Sequence, residues 1–153
     1  MEIIKINNKI YVEKYEYADK DRFHNICEMS QEMNYWALES IWNKGIEVWL
    51  IYKRSFFRCN NVGFISIINC DRLLGKERLI MDMFRIPTEY NGIFINDMRI
   101  SILDRNRGIG TKVVNILLEE EKTYLLEPVE DGKWFWKKFG FVEKGGFEIK
   151  KRR

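Results

Sequence analysis

Histidine is nearly missing from this chain: His24 stands alone among 153 residues, with only three cysteines beside it. Cys27, Cys59 and Cys70 form no Cys-x-x-Cys pair and no cluster with His24. A Cys/His zinc site is therefore not expected, and no metal is called for. Long apolar runs are missing too, since nothing approaches the roughly 18–20 residues that cross a bilayer. No membrane partner is expected. An odd cysteine count, with an opening MEIIKINNKI that lacks a signal-type apolar region, predicts a reducing, cytoplasmic setting. Repeats, low-complexity stretches and Pro/Gly-rich boundaries are absent as well, so residues 1–153 read as a single domain.

Excess charge is also small. The net charge is +3, and Lys150, Lys151, Arg152 and Arg153 supply four of the 26 positive charges against 23 negative ones. The body is thus near neutral, and 149–153 read as a frayed basic tail. Nucleic acid is not an expected partner, because binding it takes a basic face and not a tail alone. What the chain does have is 46% hydrophobic and 32% charged residues, enough to build a core and too apolar for disorder.

Residues 9–13 (KIYVE) predict a first strand. From Asp19 a helical stretch begins, with Phe23, Ile26, Cys27, Met33, Trp36, Ala37 and Ile41 at helical spacing. A break near Asn34 divides it into two helices, and Gly45 ends it. Residues 46–57 and 62–69 then flank Cys59-Asn60-Asn61 as a hairpin and its turn. Residues 77–86 (ERLIMDMFRI) suggest an additional strand before Pro87 and Asn91-Gly92 break the chain, and 93–102 a further one. Strands and helices alternate from there. Ile109, Val113, Ile116 and Leu117 mark a helix face; 123–127 form a strand closed by Pro128. Residues 130–139 form a short helix ended by Gly140, and 141–150 a last strand or hairpin. The class is α/β with a mixed, mostly antiparallel sheet, in the order β-α-α-β-β-(β)-β-α-β-α-β.

The chemically informative stretch is Arg105-Asn106-Arg107-Gly108-Ile109-Gly110-Thr111, set between a strand and an amphipathic helix. Its glycines permit a sharp turn and close approach of backbone to a ligand. The first-turn amides of the helix have no intrahelical acceptor, and the helix dipole adds positive potential. Such a junction suits a phosphate or pyrophosphate, with Arg105 and Arg107 adding charge. Two other phosphate motifs are excluded by spacing. Gly110-Thr111-Lys112 reverses the Walker order, and Val113 stands where a dinucleotide fingerprint needs a third small residue. Glu127 ends the next strand where a ribose contact would fall, but too little chain follows to build that fold's sheet.

These residues resemble the GNAT superfamily of N-acetyltransferases. The similarity lies in Arg105-x-x-Gly108-x-Gly110 opening a helix, then Phe135-Trp136-Lys137-Lys138-Phe139-Gly140-Phe141, with Ile95-Asn96-Asp97-Met98-Arg99-Ile100 as the preceding strand. It covers 93–142 in detail. The resemblance implies acetyl-CoA as the cofactor, with its pyrophosphate on the amides of Asn106, Arg107, Gly108, Ile109, Gly110 and Thr111. It implies a pantetheine arm paired like an extra strand with Ile100, Ser101 and Ile102, and Trp136 at the thiol end. The implied reaction is acetyl transfer to a primary amine on a small molecule or a protein, with pairing of two copies left open.

The chain departs from the family at two places. Trp136 stands where members commonly carry an acidic tyrosine, and an indole N–H donates a hydrogen bond without giving up a proton. Asn96 stands where many carry a basic glutamate. Asp97 and Glu127 are left as candidate bases and Tyr124 as a substitute acid. Simple alternation puts Asp97 on the face opposite Asn96 unless a bulge redirects it. The acceptor pocket is expected from the helical pair at 21–44, with Tyr35, Trp36, Trp42, Glu32 and Glu39. Because both usual proton-transfer residues are replaced, the second reading is a cofactor-binding but catalytically weak relative that acts as a sensor or interaction protein. A third, a nucleic-acid-associated protein using the tail, runs against the near-neutral body.

Overall fold

The computed structural model describes residues 2–22, 43–54, 59–101, 104–105, 107–127 and 132–150, with Cys59 and Asn60 as backbone only. Among the described residues eight strands form one sheet: β1 Glu2–Lys5, β2 Ile10–Tyr15, β3 Ile46–Arg54, β4 Cys59–Asn69, β5 Ile93–Ile100, β6 Tyr124–Leu126, β7 Val142–Lys144 and β8 Phe147–Lys150. Their spatial order is β1-β2-β3-β4-β5-β6-β8-β7. Among these strands β5 and β6 run parallel, and the other pairs are antiparallel. A parallel pair needs a crossover, which α2 (Ile109–Leu117) supplies; α1 (Leu79–Met83) and α3 (Lys133–Lys137) are shorter.

The central strands are rich in Val, Ile and Phe because both faces of the sheet are covered. On one face Val12, Trp49, Ile51, Ile65, Ile93 and Ile95 pack under Ile109, Val113, Val114 and Leu117 of α2. Each fully buried aliphatic side chain there contributes about 1.5–3 kcal/mol, and this seam fixes where α2 begins. On the other face Tyr15, Val48, Leu50, Phe64 and Phe94 meet Cys70, Ile80 and Met81. No helix among the described residues is long and apolar enough to cross a membrane.

The structure departs from expectation at several elements. The first strand, predicted at 9–13, extends to Tyr15 and is the second arm of a hairpin. Asn7 Oδ1 accepts the amides of Lys9 and Ile10 at 2.7 and 2.8 Å, turning the chain so that Glu2–Lys5 pairs back. Residues 77–86 do not form the additional strand. Gly75–Arg78 is a 3-10 turn leading into α1, whose Ile80 and Met81 enter the core. A short apolar run carries too little period to tell the two apart. Cys59-Asn60-Asn61 is not the hairpin turn but the start of β4, so the connection falls at 55–58, outside the described residues. Asn61 instead serves a bulge, its Oδ1 accepting the Gly63 amide at 3.0 Å where the register with β3 shifts. Ile149 and Lys150 are not frayed: they close β8, and Lys150 Nζ donates to the Phe139 carbonyl at 2.6 Å. The predicted helix pair falls largely on 23–42, outside the described residues, as do Tyr35, Trp36, Trp42, Glu32 and Glu39.

Candidate active site

β5 pairs with β4 along its whole length, from Ile93 to Ile100. Among the described residues its pairing with β6 ends early, at Ile95 and Leu126. The sheet therefore opens between β5 and β6 beyond Ile95. At the same point β5 carries a bulge: Ser66 of β4 faces Asp97 and Ile67 faces Ile95, so Asn96 is the extra residue. A bulge bends its strand and adds twist, which steers the rest of β5 away from β6. It also resolves the position of Asp97. Ile93 and Ile95 pack under α2, and so do Met98 and Ile100, a change of phase across Asn96. Asp97 and Arg99 thereby face the other side of the sheet, where Asn96 Nδ2 donates to the buried Ser66 hydroxyl at 3.0 Å. Asp97 and Asn96 share a face after all. Arg99 Nε holds the Asp97 carboxylate at 3.1 Å.

Backbone polarity at the end of β5 follows from one bond. The Ser101 amide donates to the Val62 carbonyl at 2.7 Å, so Ser101 addresses β4 and is not presented to the opening. In an antiparallel pair alternate residues point their polar groups the other way, so Ile100 addresses the opening. Its carbonyl accepts Arg105 Nε at 2.9 Å, which leaves the terminal nitrogens of that guanidinium available for an anion. Ile102 and Asn106 lie outside the described residues.

α2 starts at Gly108, which is left-handed (φ 76°) and has nothing within 4 Å of where a Cβ would stand. The amides of Ile109, Gly110 and Thr111 precede Lys112, whose amide makes the first intrahelical bond, to Gly108 at 3.1 Å. No acidic side chain lies in that first turn. Asp104 nearby is matched by Lys53 at 3.7 Å. Gly110 has a different reason to be glycine: a Cβ there would stand 2.9 Å from Met98 Cε and 3.4 Å from Phe135 Cζ. It lets α2 seat against β5 and α3. The same seating brings in a residue that sequence reasoning missed. Lys138, just past α3, donates its Nζ to Thr111 Oγ1 at 2.6 Å and lies over the Phe135 ring at 4.6 Å. Lys138 thus stands at the amide-bearing turn, with Arg105 and Arg107 beside it in the chain. No signal in the sequence marks Lys138 apart from its neighbour Lys137.

Trp136 is 7% exposed and packs edge-on against Phe135 and Phe141, at ring separations of 5.0 and 5.5 Å. Glu127, directly after β6, is exposed at the mouth of the opening. Tyr124 does not join these groups. It pairs with Ile93, at the start of β5, some 20 Å from Ile100 at about 3.3 Å per residue. Its single hydroxyl proton is shared between the carbonyls of Leu117 and Glu120, at 2.7 and 2.8 Å, and burial pushes its pKa up. That hydroxyl closes the C-terminal end of α2 and is out of reach of a thiol at the opening. Among the described residues no group of His, Cys, Asp and Glu is placed to hold a metal ion.

No sequence-family profile and no curated protein matches the chain. Solved structures do. The AtaTR complex bound with acetyl-CoA aligns with a TM-score of 0.58 at 12% identity, covering 94% of each chain. An acetyltransferase from Corynebacterium glutamicum, described with histone acetyltransferase HPA2, gives 0.56 at 12% identity over 95% of this chain and 97% of that one. A mutant of KacT gives 0.53 at 11% identity over 94% and 95%. An opened sheet over a glycine-led helix, aligned nearly end to end with such structures, is the GNAT acetyltransferase fold, and this chain has it.

Proposed function

We propose that this protein transfers the acetyl group of acetyl-CoA to a primary amine. The observation that carries the reading is the opening between β5 and β6, which runs directly into the amide-bearing first turn of α2. The diphosphate would lie on the amides from Arg107 to Thr111, with Arg105, Arg107 and Lys138 matching its charge. The pantetheine amides would pair with the Ile100 backbone, adding a strand where β6 has left β5. One of the aligned structures carries acetyl-CoA, which supports this choice of cofactor.

In the opening, the amine nitrogen attacks the thioester carbonyl, a C–N bond forms and the C–S bond breaks, and the thiolate leaves with the electron pair. Much of the rate comes from holding the two reactants together. A thiolate is a fair leaving group, so the absence of a phenol at Trp136 does not block the step; Trp136 walls the site through its ring. The ammonium proton passes to Asp97, now on the Asn96 face, or to Glu127 at the mouth, directly or through water. The acceptor is an amine of a small molecule or of a protein. An antitoxin segment is bound in one AtaT structure, which keeps a protein partner in view.

The test is calorimetry with acetyl-CoA, followed by thiol release against a panel of amines. Saturable binding with acceptor-dependent thiol release is expected. The buried Trp136 and the distant Tyr124 hydroxyl favour one alternative, a cofactor-binding sensor with little turnover. Binding without thiol release from any acceptor selects that alternative, and absence of binding removes both.

A further inference from the structure

At the end of the sheet where β5 begins, far from its junction with α2, lies a cavity of about 430 Å³. Among the described residues Glu2, Glu16, Asp19, Glu47 and Glu120 line it with Lys14 and Arg72, and Lys122 Nζ stands 3.6 Å from Glu120 Oε2. Lys14 is already matched by Glu2 at 3.2 Å. Acidic side chains around a hollow are commonly just solvated, but Asn69 is a separate observation. It lines the same cavity, is 8% exposed, and its Oδ1 has no hydrogen-bond partner among the described residues. A buried carbonyl oxygen left without a donor is costly, so the described residues present an acceptor there with no donor to meet it. Glu47 stands in the same cavity. Trp49 Nε1 donates to its Oε1 at 2.6 Å, leaving Oε2 as a further acceptor. Burial raises the Glu47 pKa, and a positively charged guest would offset that.

The lining selects among guests. An anion would meet five carboxylates. A metal ion would find no converging ligand set among the described residues. What the cavity offers is spaced acceptors over an apolar floor of Trp49, Ile67 and Ile93. The Trp49 ring already receives a cation, the Lys14 ammonium at 4.5 Å. We infer that this cavity binds a small aliphatic diamine or linear oligoamine, one ammonium meeting Glu47 and Asn69, the methylenes lying on the apolar floor, and the second ammonium reaching Glu16 or Glu120. The volume lies in the range of small-molecule sites. The site is separate from the acetyl-transfer opening, with Ile93 at one and Ile100 at the other.

The probes are 1,4-diaminobutane and spermidine, with magnesium and inorganic phosphate as comparison ions, read by calorimetry and thermal unfolding in the absence of acetyl-CoA. Saturable diamine binding and a raised melting temperature are expected. Glu47→Gln should weaken it about tenfold, the loss of one charge-assisted hydrogen bond. Glu120→Gln, at an exposed position that tolerates change, should weaken spermidine more than the diamine. Both variants should keep the affinity for acetyl-CoA, which places the effect outside the transfer site. Diamine affinity unchanged in both folded variants overturns the inference. So does a preference for magnesium or phosphate, and so does the lack of saturable binding up to about 10 mM, weaker than any specific site of this kind should be.

Discussion

Gly108 offers the cleanest separation of binding from folding in this protein. It sits at φ 76°, and a Cβ there would meet nothing within 4 Å. An L-residue would therefore pay for backbone conformation alone, about 1 kcal/mol. For a chain of this length that lowers the melting temperature by roughly 2–4 °C. Gly108→Glu adds a carboxylate beside the turn that is to receive the diphosphate. At about 5 Å and an effective dielectric of about 20–30, like-charge repulsion is about 2–3 kcal/mol. Acetyl-CoA affinity should fall about 30- to 160-fold. Gly110→Ala is the contrasting variant, since its Cβ would press on Met98 Cε at 2.9 Å, so it should change stability through packing. The measurement is calorimetric affinity beside thermal unfolding for each variant. A folded Gly108→Glu protein that binds acetyl-CoA as tightly as the wild type would refute the placement of the diphosphate.

Three further outcomes are expected. Trp136→Ala should cost about 3–5 kcal/mol by emptying the space between Phe135 and Phe141, whereas Trp136→Phe should fold and keep turnover within about tenfold. A thousandfold loss in folded Trp136→Phe would give the indole N–H a direct chemical role. Tyr124→Phe should lower stability by about 0.5–1.5 kcal/mol for one lost, shared hydrogen bond, with kcat unchanged; a large drop in kcat at intact fold would return Tyr124 to the chemistry. Burial raises the Glu47 pKa, with the Trp49 N–H, Lys14 and Arg72 pulling it partly back and Glu16 adding to the rise. The folded state then holds that proton more tightly than the unfolded chain, so stability should decline as pH rises from the ordinary glutamate range through the raised value. Glu47→Gln should lessen that decline in urea midpoints taken between about pH 4 and 7, leaving the part due to Glu148, whose pKa burial also raises, and parallel profiles for the two proteins would contradict it.

The second half of the chain was legible because its signals are chemical and local. Pro128 and Gly140 punctuate, the apolar face of α2 has a clear period, and Gly108 is required by its own backbone angle. The bulge at Asn96 is harder to see, because alternation alone gives Asp97 the wrong face and only the partner strand reveals the extra residue. β1 was missed because EIIK is short and mostly exposed, and its pairing depends on the Asn7 turn. The run around Ile80 and Met81 shows apolar residues without saying whether helix or strand buries them. Ser101, Tyr124 and Lys138 share one difficulty. Which way a backbone amide points, which end of a strand a tyrosine occupies and which turn a lysine reaches are all set by register and docking. None of them is written in spacing.

The residue at 96 also bears on how this chain tolerates gain and loss of length. Removing Asn96 would leave Met98 and Ile100 under α2 and Asp97 opposite, because the bulge already absorbs one residue without altering which side chains lie inside. What would change is the path of β5. A straight strand could continue its pairing with β6 past Leu126, exchanging an open cleft for further backbone hydrogen bonds. A chain one residue shorter should be the sturdier sheet and the poorer vessel. The cleft therefore persists only while selection for holding a guest outweighs the stability that a single deletion would return.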